Sequence, residues 1–162
     1  MADNDPRDRI WDIIENVGVG MLTTQSALGL RARPVEPRLD RASEVIWIVT
    51  DLRSDKEHEI DADHDVGLTV IDDRDKAYLS LTGRAEILPD HSKAAEIWRF
   101  TDNMWWDGPG DPNVCVLRFT PSVAELWDGP ASKVAAAFEF VKARLTGAKP
   151  NLGENRKVTV RM

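Results

Sequence analysis

The chain has 162 residues, of which 42% are hydrophobic and 30% are charged, and its formal net charge is -7. This balance is typical of a globular protein with a full core and excludes a disordered chain. An acidic surface repels phosphate backbones and anionic lipids, so we expect neither nucleic acid nor a membrane surface as the primary partner.

The remaining bulk features exclude several further classes. The N-terminus, Met1 to Asp5, is acidic and polar, unlike a signal or transit peptide. The single cysteine, Cys115, allows no intrachain disulfide, and we expect a cytoplasmic protein. The histidines have no partners at metal-ligand spacing, so no metal site is predicted. We expect one domain over residues 1–162, with a core at about 5–145 and a polar tail at 146–162.

Hydrophobic periodicity predicts short strands with helices at the two ends. Asp5 and Pro6 indicate a helix start, and an apolar stripe carries this helix to about Gly18. Further helices are predicted at about 54–61, 91–100 and 134–145. Strands are predicted at 19–24, 30–36, 45–50, 66–71, 78–88, 114–119 and 122–127, the last two separated by a bend at Pro121. Gly83 lies inside a strand and indicates a bulge or a close backbone approach.

Strands in hairpin succession favour an antiparallel barrel, because a parallel sheet would need a helix between nearly every pair of strands. Sequence fingerprints for serine hydrolases, P-loop NTPases and Rossmann dehydrogenases do not occur. Cys115 lies in an apolar strand, where a buried, unreactive thiol is expected.

Two features of the sequence indicate a ligand site. Four cations, Arg31, Arg33, Arg53 and Lys56, gather near two strand ends of an acidic protein and could grip a phosphate. The alternative is a solvated face on which these cations pair with Glu36, Asp51 and Asp55.

The second feature is the presence of six tryptophans against one tyrosine. Trp105 and Trp106 precede a loop rich in glycine and proline. Exposed indoles there would cover a planar ligand or a partner subunit. The alternative is that they pack over the core of their own domain.

The order of these residues resembles that of the pyridoxamine 5'-phosphate oxidase-like superfamily of FMN-binding split barrels, and in particular its general stress protein branch. Three motifs carry the resemblance: Arg33-Pro34-Val35, then Thr50 followed by Ser54 and Lys56, then Pro121 followed by Glu125 and Trp127. The resemblance covers about residues 5–145 and implies a mainly β (α+β) fold, a six-stranded antiparallel split β-barrel with flanking helices.

The resemblance also implies a cofactor, FMN, and a homodimer with the flavin at the interface. It assigns the FMN phosphate to Arg33, Ser54 and Lys56. It places Val35 and Thr50 beside the flavin ring, with the flanking Pro34 and Val49. Trp127 would contact FMN from the other subunit, and Trp106 would cover the site.

Two departures from the family pattern bear on the reaction. Asp55 stands where the oxidases often have arginine, which removes a cation; Arg31 or Arg53 could compensate. The positions that match the oxidases' substrate residues are Lys133, Ala135 and Ala137. Alanine neither carries charge nor binds a pyridine ring's polar groups, so we do not expect a true pyridoxamine-phosphate oxidase.

Three readings of the function stay open: an FMN-dependent oxidoreductase of unknown substrate, a non-catalytic flavin-binding stress or redox-buffer protein, and a split barrel that holds haem or a deazaflavin. No catalytic residue is assigned.

Overall fold

The computed structural model describes residues 5–128, 141, 144–147 and 156–162, and antiparallel strands make up most of them. The helices are α1 (Pro6–Val17), α2 (Asp55–Ala62), α3 (His91–Ile97) and a 3-10 helix (Phe100–Met104). The strands are β1 (Gly20–Ser26), β2 (Gly29–Val35), β3 (Arg38–Asp40), β4 (Val45–Asp51), β5 (Asp65–Asp72), β6 (Ala77–Leu88), β7 (Val114–Asp128) and β8 (Arg156–Arg161).

One sheet joins the strands in the order β2-β1-β5-β6-β7-β4-β3, with β8 paired to β7. In the described residues β2 and β3 end this order without pairing to each other, so the sheet curls but does not close. Strand β7 pairs with β4 over its first half and with β8 over its second half. On its other edge, β7 pairs with β6 over nearly its whole length. This is the open form of an antiparallel barrel.

Helix α1 begins and ends where its sequence predicts. The Asp5 carboxylate accepts a hydrogen bond from the Arg7 backbone N–H at 3.0 Å. At the other end Gly18 adopts a positive φ of 72° and closes the helix. Ile10, Ile13 and Ile14 are fully buried in the main hydrophobic core, and α1 packs mainly against β5.

Gly83 lies at a bulge, as its position in a strand predicts. The pairing of β6 with β7 shifts register between Thr82 and Gly83. A Cβ at Gly83 would lie 2.2 Å from the Thr120 carbonyl oxygen, far inside contact distance. Only glycine therefore lets the two strands approach so closely.

The mainly β, α+β class with a split barrel is confirmed, but the described residues contain eight strands and not six. Strand β3 has three residues and was too short to give a periodic pattern. Strand β8 lies in the segment assigned to a polar tail, although Val158 and Val160 alternate there with polar residues. The predicted break at Pro121 does not occur, because β7 continues through it opposite Gly83. The predicted last helix falls mostly outside the described residues.

No helix within the described part of the chain is long and apolar enough to cross a membrane.

Candidate functional site

A cleft of about 500 Å³ opens between the end of β2, the end of β4, the start of α2 and the 3-10 helix. Most of its walls are apolar, and charged side chains lie at a few places among them. Its lining residues are Val19, Pro34, Val35, Glu36, Arg38, Ile48, Val49, Thr50, Asp51, Lys56, Asp102, Trp105 and Trp106. An apolar cleft with a few convergent polar groups is the usual form of a cofactor site.

The N-terminus of α2 gives the cleft a place for an anion. Ser54 caps the helix without a side-chain hydrogen bond, and its hydroxyl oxygen is buried without a partner in the described residues. Lys56 lines the cleft two residues later and makes no ion pair with a described acid. Burial and the nearby Arg33 guanidinium lower the pKa of Lys56. An anion placed here would meet a helix N-terminus, a hydroxyl and an ammonium group.

Arg33 does not line the cleft, because a buried carboxylate of α2 holds its guanidinium. Its Nη2 donates to Glu59 Oε2 at 2.6 Å and its Nη1 donates to Thr24 Oγ1 at 3.0 Å. Thr24 donates in turn to Glu59, and Arg31 reaches the other Glu59 oxygen at 2.9 Å. Burial alone would raise the pKa of Glu59, but the hydrogen bonds from Thr24 and Arg33 outweigh it and the pKa is lowered.

The other predicted cations are also paired. Arg53 forms a two-point contact with Asp51, and these hydrogen bonds lower the pKa of Asp51 to about 2. Arg31 pairs with Asp55 at 3.1 Å as well as with Glu59. Both arginines are therefore already paired. Neither is free to supply the positive charge that the oxidases often carry at the position of Asp55. Of the four predicted cations, Lys56 alone lines the cleft.

The 3-10 helix and the tryptophan segment are anchored by a buried ion pair. Arg38 Nη2 donates to Asp102 Oδ1 at 2.6 Å, and both side chains are less than a tenth exposed. Burial lowers the pKa of Arg38 despite the adjacent Asp102. Asp102 also accepts from the Arg99 backbone N–H at 2.8 Å, which begins the 3-10 helix. Trp106 is then fixed by a 3.3 Å hydrogen bond from its indole nitrogen to Asp51.

The residues predicted from the sequence form part of this cleft. Six predicted residues line it together: Pro34, Val35, Val49, Thr50, Lys56 and Trp106. Ser54 lies beside it at the cap of α2, and Arg33 lies close enough to act on Lys56. Trp127 lies on β7 opposite Tyr78 and does not line the cleft of its own chain. The positions 133, 135 and 137 lie outside the described residues.

Three charged residues at or beside the site were missed: Arg38, Glu59 and Asp102. Glu59 and Asp102 resemble ordinary surface acids in the sequence, since their buried partners lie 26 and 64 positions away. Arg38 follows Pro37 at the end of a predicted strand and carries no periodic signal. Glu36 had been named only as a possible ion-pair partner of the clustered cations, and it lines the cleft.

These residues fit a flavin phosphate at the level of their chemistry. The buried, unpartnered Ser54 hydroxyl and the Lys56 ammonium supply donors, and Val35, Val49 and Trp106 supply apolar walls for a planar ring.

Comparison with known proteins agrees with this fold. The family model described as pyridoxamine 5'-phosphate oxidase like matches residues 5–151. A structure from Jannaschia sp. CCS1, named for general stress protein 26, is 31% identical, with a TM-score of 0.80 over 98% of this chain and 99% of that one. No curated protein matched.

Two more distant structures share the fold. A general stress FMN/FAD binding protein from Xanthomonas citri is 20% identical over 74% of this chain and 86% of that one, with a TM-score of 0.67. A structure named as an F420 reductase is 22% identical over 70% of this chain and 93% of that one, with a TM-score of 0.57. The family match over most of the chain and the Jannaschia relative agree on one assignment: the chain belongs to the pyridoxamine 5'-phosphate oxidase-like family, in its general stress protein branch.

Proposed function

We propose that this protein binds FMN in the cleft, with the phosphate at the N-terminus of α2. The observation that carries the proposal is the buried Ser54 hydroxyl, which has no partner in the described residues. Lys56, two positions later, forms no ion pair with a described acid. A buried hydroxyl without a hydrogen bond is costly, by about 1–3 kcal/mol, and a phosphate oxygen would relieve that cost. The Xanthomonas relative, by its name, binds FMN/FAD.

Under this proposal Arg33 supports the phosphate site without binding the phosphate directly. Glu59 holds Arg33 and thereby fixes α2 against β1 and β2, since Thr24 and Arg31 join the same carboxylate. The phosphate would then be bound mainly by Ser54, Lys56 and backbone N–H groups of α2, with Arg33 as a nearby positive charge. Val35, Val49, Thr50 and Trp106 would form the walls around the flavin ring.

A second copy of the chain would complete the site. Trp127, Tyr78 and Ile71 form a cross-strand row on β7, β6 and β5, and directly paired residues share one face of a sheet. Tyr78 and Ile71 are 43% and 56% exposed, which is unusual for adjacent large apolar side chains. Val19, which lines the cleft, is also half exposed. A two-fold partner on this row would bring its own tryptophan to the cleft.

When bound, a flavin supplies hydride and electron transfer, while the protein binds it, orients it and excludes water. We favour an oxidoreductase, because redox transfer is the chemistry that a bound flavin supplies. The absorption spectrum of purified protein, with mass analysis of the released cofactor, tests the cofactor class directly. FMN supports the proposal; haem, or a deazaflavin as in an F420 reductase, would replace it.

Mixing FMN-loaded protein with NADH or NADPH in a stopped-flow instrument separates an enzyme from a carrier. Reduction followed by repeated reoxidation indicates turnover. A flavin that stays oxidised with both donors favours the non-catalytic stress-protein function.

A further inference from the structure

A lysine of the C-terminal strand lies over the tryptophan that the proposed dimer would bring to its partner's cleft. Strand β8 pairs with β7 so that Lys157 lies directly opposite Trp127. The Lys157 ammonium nitrogen is 5.3 Å from the centre of the Trp127 ring, within the range of a cation–π contact. Directly paired residues share one face of a sheet, so Lys157 extends the row of Ile71, Tyr78 and Trp127.

The same lysine also forms an ion pair with Glu125. The Lys157 Nζ lies 2.6 Å from the Glu125 Oε1. Glu125 and Trp127 are two positions apart on β7, so their side chains lie on the same face of the strand. Lys157 therefore connects the glutamate and the tryptophan of the third sequence motif, the glutamate through its carboxylate and the tryptophan through its ring.

This pairing allows the end of the row to be covered by a second copy. The side chains of Lys157 and Glu125 are 49% and 36% exposed in a single chain. Burial of an unpaired charge is costly, whereas a hydrogen-bonded ion pair keeps a partner for each charge. Burial also strengthens a cation–π contact, because water competes less for the ammonium group. The contact of Lys157 with Trp127 would thus be stronger in the proposed dimer than in one chain alone.

We infer that Lys157 is a positioning residue: held by Glu125, it fixes the indole of Trp127 in the orientation that meets the flavin of the partner subunit. This rests on the proposed function, and it gives strand β8 a part in the flavin site. The charge of Lys157 is balanced by Glu125, so we expect its effect to pass through the tryptophan ring and not through the flavin phosphate.

The test compares FMN and riboflavin binding to the full chain, measured by fluorescence titration. Lys157→Gln removes the cation–π contact and the ion pair, and the dissociation constants of both flavins should rise by about three- to tenfold, the range of such contacts. The two flavins should weaken by the same factor, because they carry the same ring and differ in the phosphate. Lys157→Arg should retain tight binding, since arginine also pairs with a carboxylate and stacks on an indole.

A double-mutant cycle shows whether the lysine acts through the tryptophan. In a Trp127→Leu background, Lys157→Gln should have no further effect on either flavin, whereas a general contribution of β8 would appear in both backgrounds. Arg84→Gln is the control, since it removes an exposed arginine of β6 that pairs with Asp65 at 3.6 Å, and flavin binding should not change. Light scattering establishes that the variants are compared as dimers.

Several results would overturn the inference: unchanged flavin binding in Lys157→Gln, a loss for FMN alone, an equal effect in the Trp127→Leu background, or loss of the dimer in Lys157→Gln.

The proposed function is judged by the unmodified protein. If it binds neither flavin, both proposals are refuted. If it binds FMN tightly and Lys157→Gln changes nothing, this inference alone is refuted. If FMN and riboflavin bind equally and Lys157→Gln weakens both, the phosphate site is refuted and the role of Lys157 is supported.

Discussion

At the scale of single residues, Lys56 decides how the proposed phosphate affinity depends on pH. Burial and Arg33 lower its pKa from the usual 10.5, so the ammonium loses its proton at a lower pH than an exposed lysine does. Above its second pKa of about 6 the FMN phosphate stays fully charged. Between about pH 6 and the pKa of Lys56 the FMN affinity should therefore be constant, and it should fall as the pH rises through that pKa, whereas riboflavin affinity should not follow the Lys56 titration. Fluorescence titrations across that range measure both.

Lys56→Arg is the matched control for this prediction. Arginine keeps its charge at every accessible pH, so the advantage of FMN over riboflavin should become flat with pH in this variant. A decline that persists in Lys56→Arg would show that another group is responsible.

The ion-pair partners of single residues could not all be predicted from the sequence. The sequence assigned Arg33 to the phosphate, but its partner Glu59 could not be identified. A carboxylate in a polar stretch such as 54–61 is normally solvated, and only the docking of α2 on β1 and β2 buries it. Lys56 was singled out as one of four clustered cations, and Ser54 was assigned only through the resemblance to the family motif.

At the scale of elements, the bulge between β6 and β7 makes a sharp prediction about stability. Gly83→Ala would place a Cβ 2.2 Å from the Thr120 carbonyl oxygen, and the strands would have to separate. We expect a loss of about 1–3 kcal/mol in the free energy of unfolding, the usual cost of overpacking. Gly67→Ala on β5 is the control, since its nearest atom would lie at an ordinary 3.7 Å. Urea unfolding of both variants decides the matter; equal stabilities would contradict the close approach.

The Arg38–Asp102 ion pair, which anchors the 3-10 helix, leads to a second prediction about stability. Arg38→Met leaves Asp102 buried without its cation, and removing one partner of a buried pair typically costs about 3–5 kcal/mol. Arg41→Met removes an exposed arginine that pairs with Glu15 and should cost less than about 1 kcal/mol. The comparison is made by urea unfolding. Similar losses in the two variants would show that Arg38 does not anchor the segment that carries Trp106.

Most elements could be predicted from the sequence because their signals are local. The cap at Asp5 and Pro6, the alternation in β5 and β6 and the glycine in β6 each depend on neighbouring residues. Strand β3 could not be predicted, because three residues give no period and their pairing with β4 is a long-range contact. Strand β8 had a detectable alternation, but its position beyond a glycine- and proline-rich segment made a tail the simpler interpretation.

At the scale of the whole molecule, the row Ile71, Tyr78 and Trp127 predicts a homodimer. Tyr78→Glu would place a charge in the middle of this apolar row and should convert a dimer to a monomer with weaker flavin binding. Thr120→Glu, at an exposed position of β7 outside the row, should leave the dimer intact. Light scattering with simultaneous flavin absorbance measures both properties. A stable monomer that holds flavin in the unmodified protein would contradict the prediction.

A comparison of FMN with riboflavin tests whether this cleft recognises a flavin by its phosphate. FMN and riboflavin carry the same ring and differ in the phosphate that Ser54, Lys56 and the start of α2 would bind. We predict that FMN binds at least tenfold more tightly at neutral pH, because charge-assisted hydrogen bonds contribute about 1–3 kcal/mol each. We also predict that Lys56→Ala removes most of this difference. Equal dissociation constants for FMN and riboflavin in the unmodified protein would contradict the phosphate site and the account built on it.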